Sequence, residues 1–344
     1  MGFSRKPFLI AVTSVAALSI AACGGGGGST ASDGGEPIEL RFAYEGPRGT
    51  AQEIAANMFQ EELEAASDGS VTLEMFPAAQ LGGEPELLVN VRNGDIDFII
   101  SSTANAAALA PASGVLSLHY LFGGQDDVIA AVSDDAVNKA YKDMAAEKVD
   151  GATPLTLFTL PLRNMYADFP VRSVDDLEGV AVRVQETATE DAIFSAYGAQ
   201  PVHMAFPELY TALQTGTVDA AENALTYYGL NKHYEVAPTM SVTEHEGNAQ
   251  VIWVADKTWD RLSPEQQDAV TQAAEKVRSE QPAAAFELQE ELKAEYSELG
   301  VEFIEDVDKE SFQEISVPMQ DGIAKDLGPH AVTILEAVRA ATGG

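Results

Sequence analysis

From residue 36 onward the chain alternates between two hydrophobic periods. Ile38, Leu40, Phe42 and Tyr44 are apolar at every second position, which predicts a half-buried strand ended by Glu45-Gly46-Pro47-Arg48-Gly49. Ile54, Met58, Phe59 and Leu63 fall at helical spacing and predict a helix from about Thr50 to Ser67, stopped at Asp68-Gly69. A strand at Val71 to Phe76 follows, then a short helix at Pro85 to Arg92 that Gly94 can end in the left-handed conformation, then a strand at Ile96 to Ile100. Strands alternating with helices predict an α/β fold with largely parallel pairing.

The same order returns downstream. Ser173 to Gly179 reads as a capped helical turn before a strand at Val180 to Val184, and Thr189 can cap a helix ending at Gly198. A helix from Pro207 to Thr215 stops at Gly216, before a strand at Val218 to Ala221. Ser263 to Leu299 is helical in period but contains Pro282, which lacks an N–H and is expected to kink or split the helix. A strand at Val301 to Ile304 and helices over about Lys309 to Asp326 and Pro329 to Ala341 complete the pattern.

Shifted by 122 residues, the chain overlays itself: five of the thirteen positions from Pro85 to Asp97 match those from Pro207 to Asp219. Either two related lobes or independent convergence of helix-to-strand joints explains this. In an open α/β sheet ligands sit beyond the carboxyl ends of the strands. Ser101 and Ser102 in one segment and Asn223 in the other are then equivalent mouth positions, which two facing lobes would bring around one cleft.

The N-terminus changes the picture of where this fold works. Arg5 and Lys6 followed by the apolar stretch Phe8 to Ile20 form an export signal too short to span a membrane comfortably. Ile20-Ala21-Ala22-Cys23 resembles a bacterial lipobox and implies a diacylated Cys23; the alternative is an ordinary signal peptide that leaves the chain's single cysteine as a stray thiol. Residues 23–36, opening with Gly24 to Gly28, read as a flexible tether. About 310 residues then remain, a natural size for two lobes stabilised by core burial without disulfides. The formal charge of −34 becomes −36 when Arg5 and Lys6 leave with the signal, which argues against nucleic acid and anionic lipid headgroups as partners.

Enzyme signatures are missing: there is no Gly-x-Ser-x-Gly elbow, no phosphate-binding glycine-lysine loop and no His-Glu-x-x-His. The five histidines His119, His203, His233, His245 and His330 show no metal-ligand spacing and read as packing or surface residues, so neither metal nor cofactor is expected. Asp95 and Asp97 read as a helix-to-strand joint rather than a cation site, since the echo keeps one acid. Two arginines remain. Arg183 interrupts the apolar strand Val180-Ala181-Val182-Arg183-Val184, and Arg163 follows the apolar run Leu155 to Leu162. A guanidinium fork suits bidentate recognition of a carboxylate, and a surface ion pair is the plainer alternative for either residue.

Four runs carry a family resemblance: Phe76-Pro77-Ala78-Ala79-Gln80-Leu81-Gly82-Gly83-Glu84, Leu162-Arg163-Asn164, Asp176 to Val184, and above all Met204 to Asn223. They resemble the solute-binding proteins of tripartite ATP-independent periplasmic (TRAP) transporters over essentially the whole mature chain. The resemblance implies a two-lobed α/β periplasmic-binding-protein-like fold with a cleft between lobes and a long helix spanning both. It assigns residues 37–160 plus about 249–288 to lobe I and 161–248 plus about 289–344 to lobe II. It places the principal carboxylate-binding arginine on Arg183, a second on Arg163, a ring lining the site on Phe206 and a site amide on Asn223. Specificity positions fall on Glu45, Glu84, Ser102 and Asn105, with Tyr227 a further candidate. Gln185-Glu186-Thr187 and Ala221-Glu222-Asn223-Ala224-Leu225 lack the prolines frequent in the family, which bears on the solute.

The expected function is capture of a small organic acid, a uronate or aldonate fitting the hydroxyl- and carboxylate-rich lining better than a bare C4-dicarboxylate or a keto acid. The expected partners are the membrane subunits of a TRAP transporter, with the protein a monomer held outside the cytoplasm by Cys23. Two other classes stay open at this point: a secreted hydrolase or lyase using Glu84 or Glu45 as general base, and a ligand-sensing subunit.

Overall fold

The structure, a computed structural model, describes residues 36–343; Cys23 and its tether lie outside the described residues. Its strands are β1 (Ile38–Ala43), β2 (Val71–Phe76), β3 (Phe98–Ser102), β4 (Ala152–Thr159), β5 (Arg163–Ala167), β6 (Ala181–Val184), β7 (Gln200–His203), β8 (Ala220–Asn223), β9 (Thr239–Glu246), β10 (Ala249–Ala255) and β11 (Glu302–Ile304). The helices are α1 (Ala51–Ala66), α2 (Glu84–Asn93), α3 (Thr103–Ala106), α4 (Gln125–Ser133), α5 (Asp135–Lys148), α6 (Ala188–Ala196) and α7 (Leu209–Thr215). After them come α8 (Leu225–Leu230), α9 (Asp256–Trp259), α10 (Pro264–Glu298), α11 (Lys309–Ser316), α12 (Gln320–Leu327) and α13 (Pro329–Thr342).

The strands form two sheets, ordered β2-β1-β3-β10-β4 and β11-β9-β5-β8-β6-β7. These orders correspond. In the first sheet β1 lies between parallel partners β2 and β3, and β10 then runs antiparallel to β3 and β4. In the second, β6 lies between parallel β7 and β8, and β5 runs antiparallel to β8 and β9. The echo across 122 residues is therefore topological: α2-Gly94-β3 in one sheet matches α7-Gly216-β8 in the other. Gly94 and Gly216 both end their helices at positive φ, 72° and 67°, where a side chain would be strained.

The echoed aspartates explain why the strands begin two residues later than their apolar runs suggest, at Phe98 and Ala220 rather than Ile96 and Val218. Asp97 Oδ2 accepts the N–H of Arg41 at 2.8 Å, and Asp219 Oδ2 accepts that of Ala181 at 2.9 Å. Each carboxylate thus ties a helix-to-strand joint to the neighbouring parallel strand.

The chain passes from the first sheet to the second between β4 and β5 and returns between β9 and β10. The third connection is α10, whose 35 residues extend about 52 Å at 1.5 Å each. It packs on α1 and β4 of the first lobe and on α8 of the second. A capping box of Ser263 and Gln266 opens it, and Pro282 does not split it. Proline removes the N–H that would bond to the Arg278 carbonyl, and Ser133 Oγ donates to that carbonyl instead, at 3.2 Å. One residue earlier, Gln281 Nε2 donates to the carbonyls of Ala51 and Thr159, both at 3.0 Å, which fixes the helix against the first crossing.

Three further expectations are corrected. The cap of α6 is Thr187, whose side chain accepts from Glu190 N at 3.0 Å; Thr189 sits inside the first turn and donates to Gly114 O. The helix expected over 309–326 is divided by a tight turn at Val317–Met319, because Pro318 cannot donate within it. The expected assignment of 289–344 to the second lobe does not hold at its end, since α13 packs on α4 and α5 of the first lobe. Burial explains that choice: Ala331, Ile334, Leu335 and Val338 form an apolar stripe at helical spacing, and it is covered there.

Apolar burial anchors each sheet. Behind β1, Phe42, Phe59 and Phe98 meet with ring centroids 5.4–6.0 Å apart, all fully buried. Burying such a ring stabilises the fold by about 1.5–3 kcal/mol.

Candidate functional site

The carboxyl ends of the parallel strands in both sheets converge on one cavity of about 290 Å³, counting the space at its mouth. Glu45 follows β1, Ser102 ends β3, Arg183 and Gln185 lie at the end of β6, and Asn223 ends β8. Glu84 opens α2, while Phe206 and Tyr227 come from the segments after β7 and β8. All nine residues expected at a site (Glu45, Glu84, Ser102, Asn105, Arg163, Arg183, Phe206, Asn223 and Tyr227) line it.

On the first-lobe side Glu84 organises the wall. Its Oε2 accepts from Ser102 N and Ser102 Oγ, both at 2.7 Å, and from Asn105 Nδ2 at 2.8 Å. Its backbone N–H donates to Glu45 Oε2 at 3.1 Å. Burial, then the neighbouring Glu84 charge, raises the Glu45 carboxyl to about 8, so it carries a proton at neutral pH and can donate a hydrogen bond. Gly46 is required beside it, because a Cβ there would stand 2.6 Å from the Tyr227 hydroxyl and 2.8 Å from Gln52 Oε1. The Tyr227 hydroxyl is buried and completes no hydrogen bond among the described residues.

The two arginines differ sharply. Arg183 is buried, donates through Nε and one terminal nitrogen to the Met204 carbonyl at 3.2 and 3.0 Å, and lies 5.7 Å above the Phe206 ring. Among the described residues it has no carboxylate ion-pair partner, and burial lowers its pKa. Arg163 is instead held by the Glu222 carboxylate through Nε and a terminal nitrogen, with Glu246 Oε2 3.3 Å away. Burial alone would lower its pKa, but Glu222 and Glu246 outweigh that and raise it. Only its other terminal nitrogen reaches toward the cavity, 3.4 Å from Asn223 Oδ1.

Behind Arg163 lies a cluster that spacing along the chain did not reveal. His119 and His245, distant in sequence, have ring centroids 4.6 Å apart. Glu190, Glu222 and Glu246 surround them, and all five side chains are buried. Burial is the largest influence on each. It lowers His119 to about 3 and His245 to about 4, and with the Glu222 charge it raises Glu190 to about 8. It likewise raises Glu246, whereas Arg163 overcomes burial to bring Glu222 down to about 2.

Four residues of the cavity escaped the sequence reading: Leu160, Gln185, Asn248 and Gln250. Two had a visible signal. Gln250 is the one polar side chain of β10, the same feature that singles out Arg183 in β6, and Gln185 begins the stretch that departs from the family pattern. Gln185 Nε2 crosses the cavity to Ser102 Oγ at 2.8 Å, joining the two lobes. Gln250 continues a chain of amides, accepting from Gln52 and donating to Asn248 at 2.9 Å each. Leu160 had no signal.

Comparison with known proteins agrees with this geometry. The family model described as bacterial extracellular solute-binding protein, family 7, matches residues 42–326. The 2,3-diketo-L-gulonate-binding periplasmic protein YiaO of Escherichia coli is 31% identical over 87% of this chain and 90% of its own length. A sugar-acid-binding protein from Advenella mimigardefordensis in complex with galactonate superposes with a TM-score of 0.82 at 28% identity, over 89% of this chain and 99% of that one. A TRAP periplasmic solute-binding protein from Chromohalobacter salexigens with bound D-glucuronate gives a TM-score of 0.80 at 30% identity, over 88% and 99%.

Proposed function

The chain belongs to the bacterial extracellular solute-binding proteins of family 7, the solute-binding proteins of TRAP transporters, and from that membership we propose that its cavity binds a single sugar acid such as a uronate or aldonate. It is a transport protein and not an enzyme, so the hydrolase reading, with Glu84 or Glu45 as general base, falls away. It works in the periplasm with the membrane subunits of a transporter.

One observation carries the ligand class: a buried arginine without a carboxylate partner faces a wall of hydrogen-bonding groups across a small cavity. In this reading Arg183 receives the solute carboxylate through its guanidinium fork, above the Phe206 ring. Glu45, Glu84, Asn105, Asn223 and Tyr227 bind hydroxyl groups, Ser102 orients Glu84, and Arg163 contributes a single N–H. The solutes named for the three relatives above are all acids derived from sugars.

The lobes are inferred to hinge at 160–162 and 247–248, and the protein to act as a monomer. A thermal-shift screen over uronates, aldonates, diketo acids, C4-dicarboxylates and amino acids tests the ligand class. A true ligand at 100 times its dissociation constant stabilises the folded state by about 2.7 kcal/mol. Stabilisation by dicarboxylates alone would overturn the sugar-acid reading.

Cys23 is proposed as the lipid-bearing residue that holds the mature protein at a membrane surface, with residues 23–36 as tether. Among the described residues no helix is long and apolar enough to cross a membrane. Cys23→Ala should move the protein from the detergent phase to the aqueous phase in a phase-separation assay. Identical partitioning of wild type and variant would refute the anchor.

A further inference from the structure

We propose that His119, His245 and Glu246, with Glu190 beside them, form a binding site for a first-row divalent cation behind the wall of the solute cavity. The atoms that would serve as ligands, one from each of the first three residues, lie within 4.8 Å of one another. Tetrahedral ligand atoms held about 2 Å from one ion lie about 3.3 Å apart, so closing on a metal takes at most ~1.5 Å of approach between any two of them.

Apart from the ion pair of Glu246 Oε2 with Arg163 Nε at 3.3 Å, these atoms are weakly engaged among the described residues. His119 Nε2, His245 Nε2, Glu246 Oε2 and both carboxylate oxygens of Glu190 are buried and complete no hydrogen bond. His119 Nε2 stands 3.5 Å from Glu190 Oε2, and His245 Nε2 stands 3.7 Å from Glu222 Oε2. A buried polar group left without a partner is expensive, and the three ligand atoms that lie together call for a common partner.

The opposite edge of each imidazole is already engaged. His119 Nδ1 is 3.1 Å from the Tyr197 hydroxyl, and His245 Nδ1 is 2.8 Å from Thr243 Oγ1. A proton on Nδ1, held by such a bond, leaves the Nε2 lone pair directed at the cluster, which is how ligating histidines are oriented by their outer partners.

Charge points the same way. Glu190, Glu222 and Glu246 carry three negative charges when ionised, and Arg163 supplies one positive charge among neutral imidazoles. A dication would balance the two charges that Arg163 leaves over when all three are ionised. Two imidazole nitrogens and a carboxylate suit zinc and its neighbours, whereas calcium and magnesium favour all-oxygen sites.

The site is distinct from the solute cavity, which none of these four residues lines. Its donors come from three stretches: His119 from the segment before α4, Glu190 from α6, and His245 and Glu246 from the end of β9.

Zinc chloride is the probe. The purified protein, treated with chelator, is titrated with zinc against a chromogenic chelator in the absence of solute, and metal content after dialysis is measured by elemental analysis. One zinc per chain is expected, with affinity falling at least ~100-fold in His119→Gln and in Glu246→Gln. Glu246→Gln keeps side-chain size, so it still decides the matter if His119→Gln does not fold. Cobalt should bind with the visible absorption of a low-symmetry four- or five-coordinate site, and both variants should lose that absorption. Zinc at the buffer background in wild type, or zinc held equally by wild type and the folded variants, would overturn the proposal.

Discussion

Two regions meet at Arg163, and they use the same residue types to opposite ends. In the solute cavity, Arg183 has a guanidinium unpaired by any carboxylate among the described residues, and the acid that carries the wall, Glu84, is bound by neutral donors. In the cluster behind, Arg163 is paired with Glu222 and approached by Glu246, while two further buried groups, Glu190 and His119, face each other. Position along the sequence makes the two arginines look alike; their partners leave one open to an incoming charge, the role proposed for it, and make the other a counter-ion for charges already present. An arginine near a cleft is thus not by itself a ligand-binding arginine: the distinguishing fact is whether a carboxylate already holds it.

Replacing each arginine tests that difference most severely. Arg163→Ala should lower folding stability by about 3–5 kcal/mol, because it leaves buried carboxylates without their counter-ion. The urea midpoint measures this. Arg183→Ala should cost a similar free energy in solute binding, a loss of roughly two to four decades in affinity by calorimetry, while moving the urea midpoint little. Arg183→Lys should restore only part of that affinity, since an ammonium cannot make two parallel hydrogen bonds. If Arg163→Ala left the midpoint unchanged, or Arg183→Ala moved it as far, the contrast would be gone.

The Glu45 carboxyl sharpens the comparison through pH. With its pKa near 8 it is neutral at pH 7, so an anionic solute meets a hydrogen-bond donor there; above pH 8 it ionises and repels the solute carboxylate. Affinity should therefore fall as pH rises through about 8. If the bound solute raises this pKa by one further unit, the loss is about tenfold. Glu45→Gln, which cannot ionise, should give a flat profile over the same range. A wild-type affinity that rises with pH would reverse the assignment.

The smallest effect belongs to the bond across the cavity. Gln185→Ala removes the donor to Ser102 Oγ but leaves Ser102 bound to Glu84. The cost is about 0.5–1.5 kcal/mol of closure, at most about tenfold in affinity. Small-angle scattering of the solute-free variant should show a larger radius of gyration than wild type; matching curves would deny Gln185 a role in joining the lobes.

Much of the fold was legible because its signals are local. Alternation in Ile38 to Tyr44 marks β1, the Ile54 to Leu63 spacing marks α1, and Gly94 and Gly216 mark helix ends; each depends on backbone geometry within a few residues. The match between Pro85–Asp97 and Pro207–Asp219 left related lobes and convergent joints both open, and the corresponding strand orders favour the first. The cavity residues were legible for another reason: motifs around Arg183 and from Met204 to Asn223 carry the family pattern, and beyond the strands' carboxyl ends that pattern dictates position.

What sequence could not determine is which groups neutralise one another. Pro282 predicts a kink or a split, and the sequence does not show that Ser133 of α4 will donate to the carbonyl the proline leaves unbonded within the continuous α10. His119 and His245 are scattered along the chain and become neighbours only when β9 meets the segment before α4. Nothing near Arg163 in sequence says that Glu222 and Glu246 will surround it. Local order is decided by backbone sterics and hydrophobic period, which the sequence writes directly, whereas pairing of buried charges depends on distances of a few ångströms between remote segments, which exist only once the chain has folded.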